Sequence, residues 1–169
     1  MAYLFQRPGE LRMAEWKEFD LDTAIWTIPA SRAKMRREHR VPLPQQALAV
    51  LTALKAVTGQ FTLAFSGLRS AMRPINENTL NGALRRMGFA QDEMTAHGFR
   101  AVASTLLNES GKWSRDAIER ALAHQDADAV RRAYARGEYW HERVNMAQWW
   151  ADYVDTLREG AKVIQLKQG

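Results

Sequence analysis

The sequence predicts a mainly α-helical fold with a small antiparallel β-sheet near its N-terminus. Three observations predict it. Several stretches repeat apolar residues at helical spacing and stop at a glycine. One stretch, Phe19 to Pro29, alternates instead, with β-branched and aromatic residues, and a second extended run follows at His39 to Leu43. The 169 residues, 46% hydrophobic and 25% charged, suffice for one domain with its own core.

Taken in order, Met1 to Arg12 begins with apolar residues, as if inside a helix. The Arg7-Pro8-Gly9 step breaks it, and Pro8 suits the first turn of a new helix, where its missing N–H is not needed. Glu10 to Trp16 is expected to be that second helix. The abrupt start suggests a piece of a longer protein, with residues 1–169 as a single domain whose C-terminal helix and tail occupy 142–169. Asp22-Thr23 is the expected turn between two short strands within Phe19 to Pro29. Ser31 to Glu38 is polar and basic, so the sheet should display Arg32, Lys34, Arg36, Arg37 and Arg40 at its tip. That is either a solvated basic loop or a contact for a nucleic-acid backbone.

Pro44 to Val57 reads as a helix with Ala47, Leu48, Leu51 and Leu54 on one side, stopped by Gly59. Phe61 to Phe65 is a short apolar piece, and Ser66 to Pro74 is expected to be a loop carrying Arg69 and Arg73. Asn76 to Met87 is a helix that ends before Gly88. The next helix lies within Met94 to Leu107 and closes at Gly111, with Thr95 as its cap. Ser114 caps a helix to Ala123, with Asp116 in its first turn. Asp126 to Tyr139 is expected to be at least partly helical, and Glu142 to Arg158 strongly so. Met146, Trp149, Trp150, Tyr153, Val154 and Leu157 give that last helix an apolar stripe, which reads as a packed face rather than a base-stacking platform. Gly160 ends it, and Ala161 to Lys167 is a short extended tail.

Composition narrows the function. With no cysteine there are no disulfides, no thiolate catalysis and no cysteine-ligated zinc. The four histidines are scattered without metal-ligand spacing, and no glycine-rich phosphate loop appears, so neither a metal nor a nucleotide cofactor is expected. No run is long and apolar enough for a membrane span, and no signal-peptide pattern is present. Net charge is +5, which suits a nucleic-acid partner.

The chemistry centres on His97-Gly98-Phe99-Arg100. Phe99, Val102, Ala103 and Leu106 form the apolar stripe of a buried helix, and His97, Arg100 and Ser104 share a different face. An imidazole and a guanidinium near a helix start, where free N–H groups and the dipole favour anions, can grip a phosphate. His-x-x-Arg alone is common on ordinary amphipathic helices, so the other stretches decide.

Arg7-Pro-Gly-Glu10-Leu, Lys34 in a hairpin, His97-x-x-Arg100, Leu122-Ala-His124, and Tyr134 within Arg-Arg-Ala-Tyr-Ala-Arg follow one another in that order. The set resembles the catalytic domain of the tyrosine recombinases, particularly integrases of phages and genomic islands, and the resemblance runs along the whole chain. It implies that Arg7 and Arg100 clamp the scissile phosphate, with Glu10 supporting Arg7. It implies that Lys34 is the general acid, that His97 assists proton transfer, that His124 adds a hydrogen bond, and that Tyr134 is the nucleophile. The position of the lysine in the hairpin is not fixed by spacing. Tyr139, five residues after Tyr134, competes with it, though Tyr134 has the family's spacing of ten residues from His124.

Further implications are double-stranded DNA at attachment sites as partner, contacted by Arg32, Arg36, Arg37, Arg40, Arg69, Arg73, Arg131 and Arg132. The resemblance also implies other protomers of the same recombinase, as a tetramer on DNA. It implies no metal or other cofactor, no membrane, and the cytoplasm of a bacterial host, with nucleoid association when bound. The competing readings are a type IB topoisomerase-like nicking and closing enzyme and a catalytically silent DNA-binding prophage remnant.

Overall fold

The computed structural model describes residues 1–67, 70–124 and 139–160. Its elements run α1 (Pro8–Arg12), a 3-10 turn (Trp16–Glu18), β1 (Phe19–Asp20), β2 (Ile25–Ile28), β3 (His39–Pro42), α2 (Gln45–Thr58), β4 (Ser66–Gly67), β5 (Ser70–Pro74), α3 (Thr79–Arg86), α4 (Gly98–Glu109), α5 (Arg115–Ala121) and α6 (Trp140–Glu159). The fold is mainly helical with a small antiparallel sheet, as expected.

The three-stranded sheet has the order β1-β2-β3, with Trp26 opposite Phe19 on one side and Val41 on the other. Asp20 Oδ1 accepts from the N–H groups of Asp22 and Thr23, at 3.1 and 3.0 Å, and this Asx turn sets the first hairpin. Alternation buries Trp26 and Ile28 completely. They join Leu11, Phe19, Val41, Leu43, Ala47 and Leu51 in one apolar cluster between the sheet and α2. A second cluster holds Phe5, Ala103, Leu107, Ile118, Leu122, Met146 and Trp150 between α4, α5 and α6. Leu4 belongs to the first cluster and Phe5 to the second. A left-handed backbone at Phe5 (φ 39°) accompanies this change of side, and Gln6 and Arg7 follow directly.

Three expectations need correction. Met1 to Leu4 makes a single turn, closed by the Phe5 N–H on the Met1 carbonyl at 3.1 Å. The helix after Pro8 stops at Arg12 instead of reaching Trp16. Beyond it the backbone of 14–16 bonds across the chain: the Ala64 N–H to the Ala14 carbonyl (2.9 Å) and the Trp16 N–H to the Thr62 carbonyl (3.0 Å). Those pairings compete with helical ones, and the apolar piece at Phe61 to Phe65 supplies them. Ser66 to Pro74 is a hairpin of β4 and β5, closed by the Ile75 N–H on the Phe65 carbonyl at 3.0 Å. Gly59 stops α2 as expected, as its C-cap, with an ordinary helical φ of −62°. A Cβ there would sit 2.4 Å from the Lys55 carbonyl oxygen, so close approach explains the glycine.

α6 packs within its own chain. Met146, Ala147, Trp150 and Ala151 are buried, and Trp149, Tyr153 and Val154 pack on the second cluster, while Leu157 stays exposed. Trp150 Nε1 donates to the Ala2 carbonyl at 2.8 Å, and Tyr3 donates its hydroxyl to Asp155 at 2.7 Å. Trp149 stacks on Tyr153 with centroids 5.6 Å apart. The aromatic stripe is therefore packing, as read. The expected helix at Asp126 to Tyr139 lies, except for Tyr139, outside the described residues, and so does the tail from Ala161.

Candidate active site

The last turn of α5 gathers the charged groups. A helix leaves its final carbonyls without internal partners, and they carry the negative end of the dipole. Here side chains from three elements or their flanks occupy them. Gln6 Nε2 donates to the Ala121 carbonyl at 3.0 Å. Arg100, from α4, donates from Nη2 to Leu122 and from Nη1 to the Phe5 carbonyl at 3.4 Å. Arg7, just before α1, donates from Nη2 to the Ala123 carbonyl at 3.3 Å. The imidazole of His39, from β3, faces the Ala121 backbone, which favours its protonated form. Ala123, like Phe5, is a non-glycine residue in the left-handed region, with φ 47°.

The two arginines are thus brought together, and the charges show it. Arg100 is 4% exposed, and burial first, then the neighbouring Arg7, lower its pKa to about 10. It remains a cation at neutral pH. His39 is buried too, and its pKa falls to about 3. Burial is the main cause, followed by repulsion from Arg143, and then from Arg7 and Arg100. It is a neutral imidazole among three guanidiniums.

Glu10 is the hub on the other side. Its buried carboxylate accepts from Arg7 Nη1 at 3.4 Å and from the Lys34 backbone N–H at 3.3 Å. The Lys34 turn is thereby tied to the arginine that Glu10 holds, while the Lys34 side chain is exposed. His97 is exposed and is itself the N-cap of α4, in place of the expected Thr95; Thr95 Oγ1 accepts the Gly98 N–H at 3.0 Å from the turn before the helix. His124, also exposed, shares 2.8 Å between Nδ1 and Glu119 Oε2. Tyr134, Arg69, Arg131 and Arg132 lie outside the described residues. The rival Tyr139 donates its hydroxyl to Asp116 Oδ2 at 3.1 Å, and that bond raises its pKa. A phenol holding its proton more tightly is a poorer nucleophile.

The expected DNA-contacting arginines separate. Arg36 and Arg37 are exposed on the turn before β3, and Arg73 is exposed on β5. Arg40 lies over the Trp140 ring at 4.5 Å. Arg32 departs from expectation. Its Nε donates to Glu18 Oε1 at 2.9 Å, its Nη2 to Glu18 Oε2 and its Nη1 to the Glu10 carbonyl at 2.8 Å. A buried Glu18, which also accepts from Trp26 Nε1 at 3.0 Å, has taken its fork. Arg32 braces α1 against the sheet and does not offer a free guanidinium.

Helix α4 also buries a different face from the one read. Arg100, Ala103 and Leu107 are its buried positions, while Val102 is 45% exposed. The sequence reading kept the arginine off the apolar face; its carbonyl partners are what make burial tolerable. Gln6, His39 and Arg143 were not anticipated at the site. His39 offered one signal, a histidine opening an apolar strand; Gln6 offered none.

A second set of contacts surrounds α5. Ser114 Oγ caps it by accepting the Ala117 N–H at 3.2 Å and donates to Glu142 Oε2 at 2.8 Å. Glu142 Oε1 accepts the Ser114 N–H at 2.6 Å. With Glu119 on His124 and Asp116 on Tyr139, α5 anchors the residues on both sides of 125–138. Among the described residues no group of three His, Cys, Asp or Glu is arranged to hold a metal ion, and none of their helices is long and apolar enough to cross a membrane.

Comparison with known proteins gives the family. A family model described as the phage integrase family matches residues 1–141. The integrase of Enterobacteria phage P4 is 46% identical over 168 residues, covering 91% of this chain and 38% of that protein. Prophage integrase IntA of Escherichia coli K12 is 44% identical over 158 residues, covering 94% of this chain and 38% of that protein. The chain therefore spans about two fifths of the length of these relatives. Among solved structures, XerA recombinase shares the fold, with a TM-score of 0.59 at 16% identity, over 95% of this chain and 54% of that one.

Proposed function

Because the chain belongs to the phage integrase family, we propose that it is the catalytic part of a site-specific DNA recombinase, with Tyr134 as its nucleophile. The observation that carries the reading is the pair of guanidiniums, Arg7 and Arg100, held on the carbonyls that lead directly into His124. Each arginine uses part of its five-donor fork on backbone and keeps charge for an anion.

Charge accumulates on the non-bridging oxygens of a phosphodiester as its phosphorus is attacked. Two arginines stabilise those oxygens electrostatically. The Tyr134 hydroxyl gives its proton to His97 as its oxygen bonds to phosphorus. The bond to the 5′-oxygen breaks, and Lys34 protonates that leaving oxygen. The product is a 3′-phosphotyrosine with a free 5′-hydroxyl. Attack by the 5′-hydroxyl of another strand reverses the steps, frees Tyr134 and joins the strands, with no external energy source.

His124, oriented by Glu119, donates a further hydrogen bond to the phosphate. Double-stranded attachment-site DNA is the substrate, contacted through Arg36, Arg37, Arg40, Arg69, Arg73, Arg131 and Arg132, and the working assembly is a tetramer on DNA in a bacterial cytoplasm. The outcome is integration or excision of a mobile element.

The test is a nicked suicide substrate carrying the attachment site, scored for a covalent protein–DNA adduct. The wild-type chain should form the adduct. Tyr134→Phe, which removes one hydroxyl and no charge, should abolish it while leaving DNA affinity nearly intact. An adduct that survives Tyr134→Phe and disappears in Tyr139→Phe would reassign the nucleophile.

A further inference from the structure

Gln6 is 2% exposed and sits directly before Arg7. An amide in that place costs free energy unless bonded, and a methionine would fill the space without that cost. Its Nε2 bonds the Ala121 carbonyl at 3.0 Å, while its Oε1 is buried without a partner among the described residues. Leu122 and Ala123, the next two residues, give their carbonyls to Arg100 and Arg7. Those arginine bonds are crossed. Arg100 also holds the Phe5 carbonyl, and Phe5 and Ala123 both carry a strained left-handed backbone. The segment before α1 and the turn after α5 therefore hold each other.

We propose that Gln6 is a positioning residue: it ties the entry to α1, and with it Arg7, to the last turn of α5, and so sets where His124 stands relative to the arginine pair. This rests on the recombinase reading of the site. A bound phosphate competes for guanidinium N–H groups, so the ties from Arg7 and Arg100 weaken when substrate arrives. The Gln6 amide is neutral and gains nothing from an anion. It keeps its carbonyl, and the turn stays registered while the arginines serve the phosphate.

Gln6→Met removes the donor at similar volume. Gln6→Glu keeps the shape and sets a carboxylate against the carbonyl. Either is compared with Leu51→Ala, which weakens the core beneath the sheet, away from this turn. Two readouts are taken on the 169-residue chain. The first is amide exchange at Ala123 and His124, whose N–H groups bond the Arg120 and Glu119 carbonyls at 3.0 and 2.9 Å. Both Gln6 variants should exchange there about tenfold faster, relative to the rest of α5, and Leu51→Ala should not. The second is adduct formation on the nicked substrate, which should slow by on the order of tenfold to a hundredfold with DNA affinity within about twofold. Unchanged exchange at those two amides, or adduct rates that follow stability alike in all three variants, would overturn the assignment. If the wild-type chain forms no adduct, the recombinase reading fails, and exchange alone decides whether Gln6 holds the turn. Should Gln6→Met not fold, Gln6→Glu carries both measurements.

Discussion

His39 shows how far one residue's setting can move its chemistry. An imidazole ordinarily titrates near 6.5, but here burial and the facing Arg143, Arg7 and Arg100 depress it to about 3, against the opposing Ala121 carbonyl. The unfolded chain takes up a proton below about pH 6.5, whereas the folded one does not until about 3. Stability from this group is therefore fully present above the imidazole's ordinary pKa and is lost as pH falls towards 3. The loss approaches about 1.4 kcal/mol per pH unit for one proton. Urea unfolding at pH 7, 5.5 and 4.5 should show a shallower decline for His39→Asn than for wild type, and equal slopes would remove His39 as the cause. Such residues were poorly legible in the sequence. The types that bear chemistry stood out: arginine, histidine and lysine in short motifs. Their partners did not, because Gln6, Glu18 and backbone carbonyls carry no pattern. Arg32 was misread for this reason. Counting cations cannot reveal that a carboxylate 14 residues earlier has taken one of them.

Among the elements, α5 is the most exposed to a single substitution. It has seven residues, too few to persist on intrinsic propensity. Ser114 holds both its start and Glu142 of α6. Ser114→Ala should cost about 1 kcal/mol through the lost cap, lowering the melting midpoint by about 2–4 °C for a chain of this size. Calorimetry on the purified variant checks it, and an unchanged midpoint would show the cap to be idle. Long helices with regular stripes were legible. Thus α2 and α6 lie close to their expected bounds, since apolar periodicity reports burial directly. The β4–β5 hairpin was not legible. Ser66, Gly67, Ser70 and Pro74 have little strand preference, and pairing between neighbouring segments formed it nonetheless.

Across the molecule, two apolar clusters meet where the chain passes from Leu4 to Phe5, and the arginine pair sits at that junction. Fold class was legible because it follows from element types and order; the seam was not, because it depends on which side each residue faces. The surface arginines now divide into two kinds. Arg36 and Arg73 are exposed, and each phosphate contact they make should contribute about 0.9 to the log–log salt dependence of DNA affinity. Anisotropy titrations at several salt concentrations should show Arg36→Ala and Arg73→Ala each flattening the slope by that amount. Arg32→Ala should leave the slope unchanged and lower stability instead. A slope reduced by Arg32→Ala would return that residue to the DNA surface.

The anchoring of 125–138 has a mechanical meaning. His124 and Tyr139, one at each side, are both bonded to α5, so whatever path the intervening chain takes, it is a tether with two fixed ends. Tyr134 lies five residues from the nearer end, and a fully extended chain of five residues spans about 18 Å at most. Contour length is thus an upper bound on the reach of the proposed nucleophile from that end. Loop-closure entropy grows only with the logarithm of length. Four glycines inserted between Tyr134 and Tyr139 should therefore cost about 0.2 kcal/mol while lengthening the short arm by about 14 Å. The thermal midpoint should hold, and adduct formation should fall as the tyrosine samples a larger volume. An inserted chain that reacts at the wild-type rate would mean that the length of the tether does not govern delivery.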